Sequence, residues 1–264
     1  MRHVFSPDGQ AAMIELLSRK PLLAFDFDGT LAPIVALPDH ARLSFAVAGR
    51  LRLLAEHLPV AIVTGRATDD VKQRLHFHPH YVVGNHGAED EFDLGGAGLR
   101  MSALDALRLD LQARAADLVA AGVAVEDKGQ SIALHYRLSR RRDDAKALIH
   151  EILAAFGGTL HVFAGKMVVN VVATGAPDKA SAVRRLLARS ESNCALFAGD
   201  DVNDEPVFEA AEPDWLTVRV GRDCPNSRAR YFLEGPHEMA MLLEYLLVHL
   251  GVIRNSPVSR PAAL

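Results

Sequence analysis

The chain has 264 residues, of which 49% are apolar and 23% are charged, and its formal net charge is −4. This composition is typical of a soluble globular protein with one large domain or two modest ones. The mild acidity disfavours nucleic acid as a partner, because nucleic-acid binding needs a basic surface. Cys194 and Cys224 are too few for a disulfide framework, so we expect a reducing compartment.

The two ends of the chain predict neither a signal peptide nor a membrane span. Pro7, Asp8 and Glu15 lie where a signal peptide would have its apolar run. The longest apolar stretch, Met239–Ile253, is too short for a span and contains Glu244, so it predicts a buried C-terminal helix. We therefore expect a cytoplasmic protein without a membrane partner.

Short apolar runs alternate with helical patterns along most of the chain. The runs predict strands that are buried on both faces: Leu22–Phe27, Val60–Val63, Tyr81–Val83, Cys194–Ala198 and Leu216–Val220. Apolar residues at helical spacing predict helices at Ala41–Leu58 and Asp178–Ala188. This alternation predicts an α/β fold with a doubly wound parallel sheet, a Rossmann-like core.

The middle of the chain mixes helices with pairs of short strands. The predicted helices are Leu104–Val119 and Asp143–Phe156, and the predicted strands are Val123–Val125, Ser131–Tyr136, Leu160–Phe163 and Met167–Val172. Two hairpins and two helices predict a small α+β domain inserted into the larger one. We predict a core domain of residues 1–100 and 174–264, an inserted cap domain of residues 101–173, and linkers at residues 95–98 and 174–177.

Carboxylates cluster after two of the predicted strands. The first strand ends in Asp26-Phe27-Asp28-Gly29-Thr30, and Gly199-Asp200-Asp201-Val202-Asn203-Asp204 follows the predicted strand Cys194–Ala198. A turn with capping aspartates explains the first motif equally well when it is taken alone. Two acidic clusters at the carboxyl ends of parallel strands repel each other unless a cation lies between them. Clustered oxygen ligands therefore predict a Mg²⁺ site.

Two further elements are of the kind that binds phosphate. Thr64-Gly65-Arg66 follows the strand Val60–Val63, and Lys179 begins the helix before the second acidic strand. Each is weak alone, because a lone lysine in this position is usually solvated. Four such elements in this order resemble the haloacid dehalogenase-like superfamily of phosphotransferases.

The predicted cap domain has a narrower resemblance. Its segment Val125–Arg137 (VEDKGQSIALHYR) is similar to the cap signature of trehalose-6-phosphate phosphatases, and so are Gly84–Glu89 (GNHGAE) and Gly165-Lys166. That family removes phosphate from trehalose 6-phosphate and uses Mg²⁺. The resemblance implies a Mg²⁺-dependent phosphatase with a small sugar-phosphate substrate, and we expect a monomer.

The resemblance also implies a role for individual residues. Asp26 would be the nucleophile and Asp28 the general acid and base, with Thr64 and Lys179 at the phosphoryl group. Mg²⁺ would be held by the Asp26 carboxylate, the Asp28 carbonyl and Asp200, with Asn203 and Asp204 in support. The implied substrate-binding residues are Gly29, Gly65, Arg66, Asn85, His86, Glu126, Lys128, Lys166 and Asn170.

The chain departs from the family pattern at the sugar site. Asn170 stands where members usually have a glutamate, Ala180 replaces a common glycine, and Val171-Val172 replaces arginine-proline. These changes leave open another glycosyl phosphate, of sucrose or mannosyl type, as the substrate. A phospho-accepting signalling domain and an inactive sugar-phosphate sensor are the alternatives of another class. The intact Asp28 and the inserted domain argue against the first, and the intact catalytic set argues against the second.

Overall fold

The computed structural model describes residues 1–35, 38–92 and 96–254, so Gly95 in the first predicted linker lies outside the described residues. The strands are β1 (Arg2–His3), β2 (Leu22–Phe25), β3 (Val60–Val63), β4 (Tyr81–Gly84), β5 (Glu89–Asp90), β6 (Ala124–Asp127), β7 (Ser131–His135), β8 (Leu160–Gly165), β9 (Val168–Ala173), β10 (Ala195–Gly199), β11 (Leu216–Val220) and β12 (Tyr231–Leu233). The helices are α1 (Pro7–Ser18), α2 (Phe45–Ala55), α3 (Thr68–Leu75), α4 (Ala97–Ala103), α5 (Asp105–Ala113), α6 (Ala115–Ala120), α7 (Arg142–Ala154), α8 (Lys179–Arg189), α9 (Glu205–Ala210) and α10 (Met239–His249).

The larger sheet is parallel apart from one edge. Its eight described strands lie in the order β1-β12-β11-β10-β2-β3-β4-β5, and β5 runs antiparallel to β4. Every residue of β2, β3, β10 and β11 is buried, as expected for strands covered on both faces. The predicted α/β fold with a parallel sheet is confirmed. The strand order also brings the ends of β2, β3 and β10 side by side.

A second sheet forms from the middle of the chain. It is antiparallel with the strand order β6-β7-β9-β8, so the two predicted hairpins are present. It has its own buried cluster, which includes Leu107 of α5, Leu134 of β7 and Ile149 of α7. The domain boundaries at residues 101 and 173 stay a prediction, and this separate core supports them.

Several predicted helices are shorter or broken. The helix predicted at Ala41–Leu58 is α2 alone, because Ser44 is extended and its side chain caps the amide of Val47. The helix predicted at Leu104–Val119 breaks into α5 and α6 at Arg114, where φ is −99° and ψ is 17°. The C-terminal helix ends at His249. No helix of the described ranges is long and apolar enough to cross a membrane.

We expect the second core to contribute strongly to stability, and two leucines of α5 test this. Leu107 is fully buried, whereas Leu109 is 69% exposed. Leu107→Ala should cost about 2–5 kcal/mol of unfolding free energy, because it removes buried contacts and leaves a cavity. Leu109→Ala should change it by at most about 0.5 kcal/mol. Chemical denaturation of both variants measures this, and equal losses would contradict the described core.

Candidate active site

The sheet's strand order collects the predicted motifs at one edge. β2 lies between β10 and β3, all three strands are parallel, and each is followed by one of the motifs. The carboxyl ends of parallel strands are where ligands bind in open α/β sheets. Asp178 caps α8 by accepting a hydrogen bond from the amide of Ser181, and this fixes where Lys179 begins the helix.

Lys179 joins the two acidic motifs. Its Nζ lies 2.8 Å from Asp26 Oδ1 and 2.7 Å from Asp204 Oδ1, and its side chain is 1% exposed. The other oxygen of Asp204 accepts hydrogen bonds from the amides of Asp200 (2.9 Å) and Asp201 (3.0 Å). Asp204 therefore shapes the loop of residues 200–204, which we call the acidic loop. Its predicted supporting role at a metal stays a prediction.

The acidic cluster has three carboxylates, those of Asp26, Asp200 and Asp204, and among the described residues only two ammonium groups, those of Lys179 and Lys166, contact them. Asp26, Asp200 and Asp204 each place one oxygen within 4.8 Å of the others. Burial raises the pKa of Asp26 well above its ordinary range, and the neighbouring carboxylates add to this effect against the opposing charge of Lys179. Burial likewise raises the pKa of Asp200 to about 7, although the Lys166 ammonium opposes it. A further cation would relieve this repulsion.

The donor set fits Mg²⁺. Asp200 Oδ1 is buried and has no hydrogen-bond partner, which is unusual for a carboxylate oxygen. Mg²⁺ takes oxygen ligands and uses few carboxylates, keeping water for the rest. Asn203 lines the same cavity as Asp26 and Asp200, and its predicted supporting role stays a prediction.

Arg66 holds the predicted general acid. Its Nε and Nη2 donate to the two oxygens of Asp28 at 2.6 and 2.8 Å, while its Nη1 donates to Asp70 at 2.7 Å. Such a two-pronged pair fixes the plane of the carboxylate. The guanidinium also lies 5.4 Å from the centre of the Phe27 ring. The predicted contact of Arg66 with substrate stays a prediction. Thr64, which was predicted to lie at the phosphoryl group, is fully buried, and its Oγ1 accepts a hydrogen bond from the Arg66 amide at 3.2 Å.

A cavity of about 580 Å³ lies at the acidic cluster. The predicted residues that line it are Asp26, Asp28, Gly65, Arg66, His86, Glu126, Lys128, Lys166, Asn170, Lys179, Asp200 and Asn203. The predicted residues outside its lining are Gly29, Thr64, Asn85 and Asp204. Ile34, Val119 and Leu138 also line it, and no motif in the sequence indicated these apolar residues.

The turn between β6 and β7 contacts the larger sheet's loops. Lys128 Nζ donates to the carbonyl of Gly65 at 2.9 Å. Asn85 Nδ2 donates to the carbonyl of Lys128 at 3.1 Å, and Ser131 Oγ donates to Asn85 Oδ1 at 2.5 Å. Asn85 Nδ2 also donates to Glu89 Oε2 at 2.7 Å, and Lys128 Nζ lies 3.5 Å from Glu126 Oε2. Both residues were predicted to bind substrate, and this stays a prediction; the described contacts show that they join the two sheets' turns.

The turn between β8 and β9 reaches the acidic loop. Lys166 Nζ donates to Asp200 Oδ2 at 2.5 Å, and the Lys166 amide donates to Asp201 Oδ2 at 3.2 Å. Lys166, predicted as a sugar contact, therefore touches a predicted metal ligand. Both hairpin turns of the second sheet thus cover the acidic edge of the first.

The remaining predicted substrate contacts are Glu126 and Asn170 of the second sheet and His86, which follows β4 of the larger sheet. Glu126 pairs with His135 at 2.9 Å, and although burial raises its pKa, His135 and Lys128 outweigh that effect and lower it to about 2. Asn170 is 4% exposed on β9. His86 packs edge-on against Phe163, 4.9 Å between ring centres, and burial lowers its pKa well below 6.5, so the ring is neutral.

The first acidic motif needs a glycine for a steric reason. Gly29 has φ +83°, and a Cβ there would lie 2.1 Å from Asp200 Oδ2. A Cβ at Gly65 would lie 2.3 Å from Cε1 of the His86 ring. Both were predicted to contact substrate, and both have a structural reason to be glycine.

The chain matches the trehalose-phosphatase family model over residues 24–236. The chain belongs to the trehalose-phosphatase family. Trehalose-phosphate phosphatase of Mycobacterium ulcerans (strain Agy99) is 30% identical over 261 residues, which are 94% of this chain and 65% of that protein. The chain thus spans somewhat less than two thirds of that relative's length.

Solved structures share the fold of this trehalose-phosphatase family member. A trehalose-6-phosphate phosphatase related protein superposes with a TM-score of 0.72 at 26% identity, over 88% of this chain and 98% of that one. The C-terminal domain of a trehalose-6-phosphate phosphatase from C. albicans has a TM-score of 0.73 at 21% identity, over 92% of this chain and 97% of that one. At that identity the second likeness concerns the fold alone.

Gly29→Ala should destabilise the protein more than a matched glycine change. Gly175 has φ +76°, and a Cβ there would have no neighbouring atom within 4 Å, so Gly175→Ala should cost only left-handed strain, about 1–2 kcal/mol. Gly29→Ala adds the collision with Asp200. Thermal and chemical unfolding compare the two variants, and equal losses would show that the close approach at Gly29 carries no cost.

Proposed function

We propose that the chain is a Mg²⁺-dependent phosphatase that hydrolyses trehalose 6-phosphate to trehalose and phosphate through an aspartyl phosphate on Asp26. The observation that carries this is the placement of Lys179 Nζ between Asp26 and Asp204 at a cavity that the second sheet covers. Family membership supports the phosphatase chemistry and the sugar phosphate as its substrate class. A cytoplasmic location and a monomeric state complete the proposal, and both cysteines are free, as a reducing compartment requires.

In the first step an Asp26 oxygen attacks phosphorus, and the bond from phosphorus to the sugar oxygen breaks. Asp28 gives its proton to the departing sugar oxygen, which leaves as the hydroxyl of trehalose. In the second step Asp28 takes a proton from water, the water oxygen attacks phosphorus, and Asp26 is released with inorganic phosphate. Arg66 fixes the direction of Asp28 for both transfers.

The negative charge on the phosphoryl oxygens is stabilised by cations that lie beside the reacting phosphate. Lys179 supplies one, and its two carboxylate partners hold its ammonium at the cluster. The residues that would hold Mg²⁺ are Asp26, Asp200 and the carbonyl of Asp28, with Asn203 and Asp204 in support. When bound, Mg²⁺ would supply further positive charge to the reacting phosphate. The two hairpin turns over the cavity would limit the access of bulk water.

Asn170 favours a second candidate substrate, another glycosyl phosphate. An amide can donate and accept hydrogen bonds but lacks the charge of the glutamate usual in the family. Glu126 and Asn170 line the cavity on the second sheet, so the sugar hydroxyls would meet them there. The apolar Ile34, Val119 and Leu138 would meet the less polar faces of the sugar rings.

Phosphate release from a panel of sugar phosphates, with Mg²⁺ and with a chelator, tests the proposal. Trehalose 6-phosphate should have the highest kcat/KM, and chelation should remove the activity reversibly. A wide preference for another glycosyl phosphate would establish the second candidate instead. Activity that persists in the chelator would contradict the Mg²⁺ requirement.

Asp26→Asn should abolish turnover while the fold is retained, because the amide is nearly the same shape but a poor nucleophile. Asp28→Asn should lose activity on trehalose 6-phosphate, because asparagine carries no proton for the leaving oxygen. Its loss should be much smaller for an aryl phosphate, whose leaving group needs no proton. Steady-state kinetics on both substrates measures this, and equal losses would contradict Asp28 as the acid.

Asn170→Glu should lower KM for trehalose 6-phosphate. Hydrogen bonds to a charged group are stronger than neutral ones, and the gain should be about 1 kcal/mol, roughly fivefold in kcat/KM. A small aryl phosphate does not reach the second sheet, so its kinetics serve as the control and should not change. No effect on the sugar substrate, or an equal effect on both, would show that residue 170 does not touch the sugar.

A further inference from the structure

Arg219 contacts the acidic loop from β11, the strand that lies beside β10 on the side opposite β2. It belongs to β11, opposite Gly199 of β10, and is 2% exposed. Its Nη2 donates to the carbonyl of Asp200 at 2.8 Å, and its Nη1 lies 3.4 Å from the carbonyl of Asp201. The same guanidinium also contacts Glu205 at 2.9 Å and Asp223 at 3.2 Å.

These contacts hold the main chain on both sides of the Asp200 side chain. The Asp200 amide donates to Asp204 Oδ2, and the Asp200 carbonyl accepts from Arg219 Nη2. With both flanking peptide groups fixed, the side chain leaves the backbone in one direction. That direction places the Asp200 carboxylate at the acidic cluster. Its Oδ1 is buried and has no hydrogen-bond partner.

We propose that Arg219 is a positioning residue that sets Mg²⁺ affinity by holding the Asp200 backbone. The proposal rests on the proposed function only in assigning the acidic cluster as the Mg²⁺ site. Arg219 acts through Asp200 and does not itself contact metal or substrate. Side chains that orient metal ligands are worth about 10–100-fold in metal affinity.

Removing Arg219 has two effects that would change Mg²⁺ affinity in opposite directions: the loss of its charge and the loss of its hold on the Asp200 backbone. Loss of the positive charge of Arg219 would remove its Coulomb repulsion of Mg²⁺ and, by that effect alone, would strengthen Mg²⁺ binding. Loss of the hydrogen bond to the Asp200 carbonyl would free the ligand to turn and would weaken binding. The direction of the change in Kd therefore separates the two effects.

Isothermal titration of Mg²⁺ into the whole protein tests the proposal, with thermal unfolding of each variant measured alongside. Arg219→Met should raise the Kd by about 10–100-fold. Arg219→Lys keeps the buried positive charge, so it should fold. Its ammonium cannot reach all four acceptors, so the Kd should still rise, but by less than in Arg219→Met. If Arg219→Met does not fold, the Kd of Arg219→Lys tests the proposal in its place.

Arg230→Met is the control for the loss of an arginine that donates to backbone carbonyls, at an exposed position. The Arg230 guanidinium also donates to two backbone carbonyls, those of Pro213 (2.7 Å) and Trp215 (2.8 Å), away from the acidic loop. The Arg230→Met variant should have lower thermal stability and an unchanged Mg²⁺ Kd. An unchanged or lower Kd in Arg219→Lys, or an equal rise in Arg230→Met, overturns the proposal. If the wild type itself binds no Mg²⁺, the metal assignment of the proposed function fails as well.

Discussion

The buried ammonium of Lys179 is the contact on which the arrangement of the site depends. It ties the end of β2, through Asp26, to the loop after β10, through Asp204, and it does so from the first turn of α8. A charge removed from water is stable only when it is paired, and breaking such a pair costs about 3–5 kcal/mol. Three segments far apart in the chain are therefore held in one geometry, and that geometry leaves negative charge for a further cation.

The second sheet is joined to this centre through residues that also belong to the proposed chemistry. Lys128 contacts the loop of Gly65, and Lys166 contacts Asp200. Covering the cavity and arranging its charges are thus done by the same side chains. A change at either lysine would alter both the position of the second sheet and the electrostatics of the cluster.

Much of the fold and the motif residues could be predicted from sequence, because buried parallel strands are nearly continuous apolar runs. Val60–Val63 and Leu216–Val220 were predicted with their observed bounds. The break at Arg114 was missed, because the apolar spacing continues through it. Arg219 was missed for another reason: one arginine in an apolar strand gives no signal until the strand order places it beside the acidic loop. Partners across the sheet are set by tertiary structure.

The central claim is that Asp26, which is hydrogen-bonded to Lys179, is the nucleophile. Chemical trapping of the phosphorylated enzyme tests this claim most directly. The enzyme is quenched with borohydride during turnover of trehalose 6-phosphate, which reduces an aspartyl phosphate to homoserine, and the peptides are then sequenced by mass spectrometry. The account predicts homoserine at residue 26, absent without substrate. Homoserine at another aspartate, or turnover with no reducible intermediate at any residue, would contradict it.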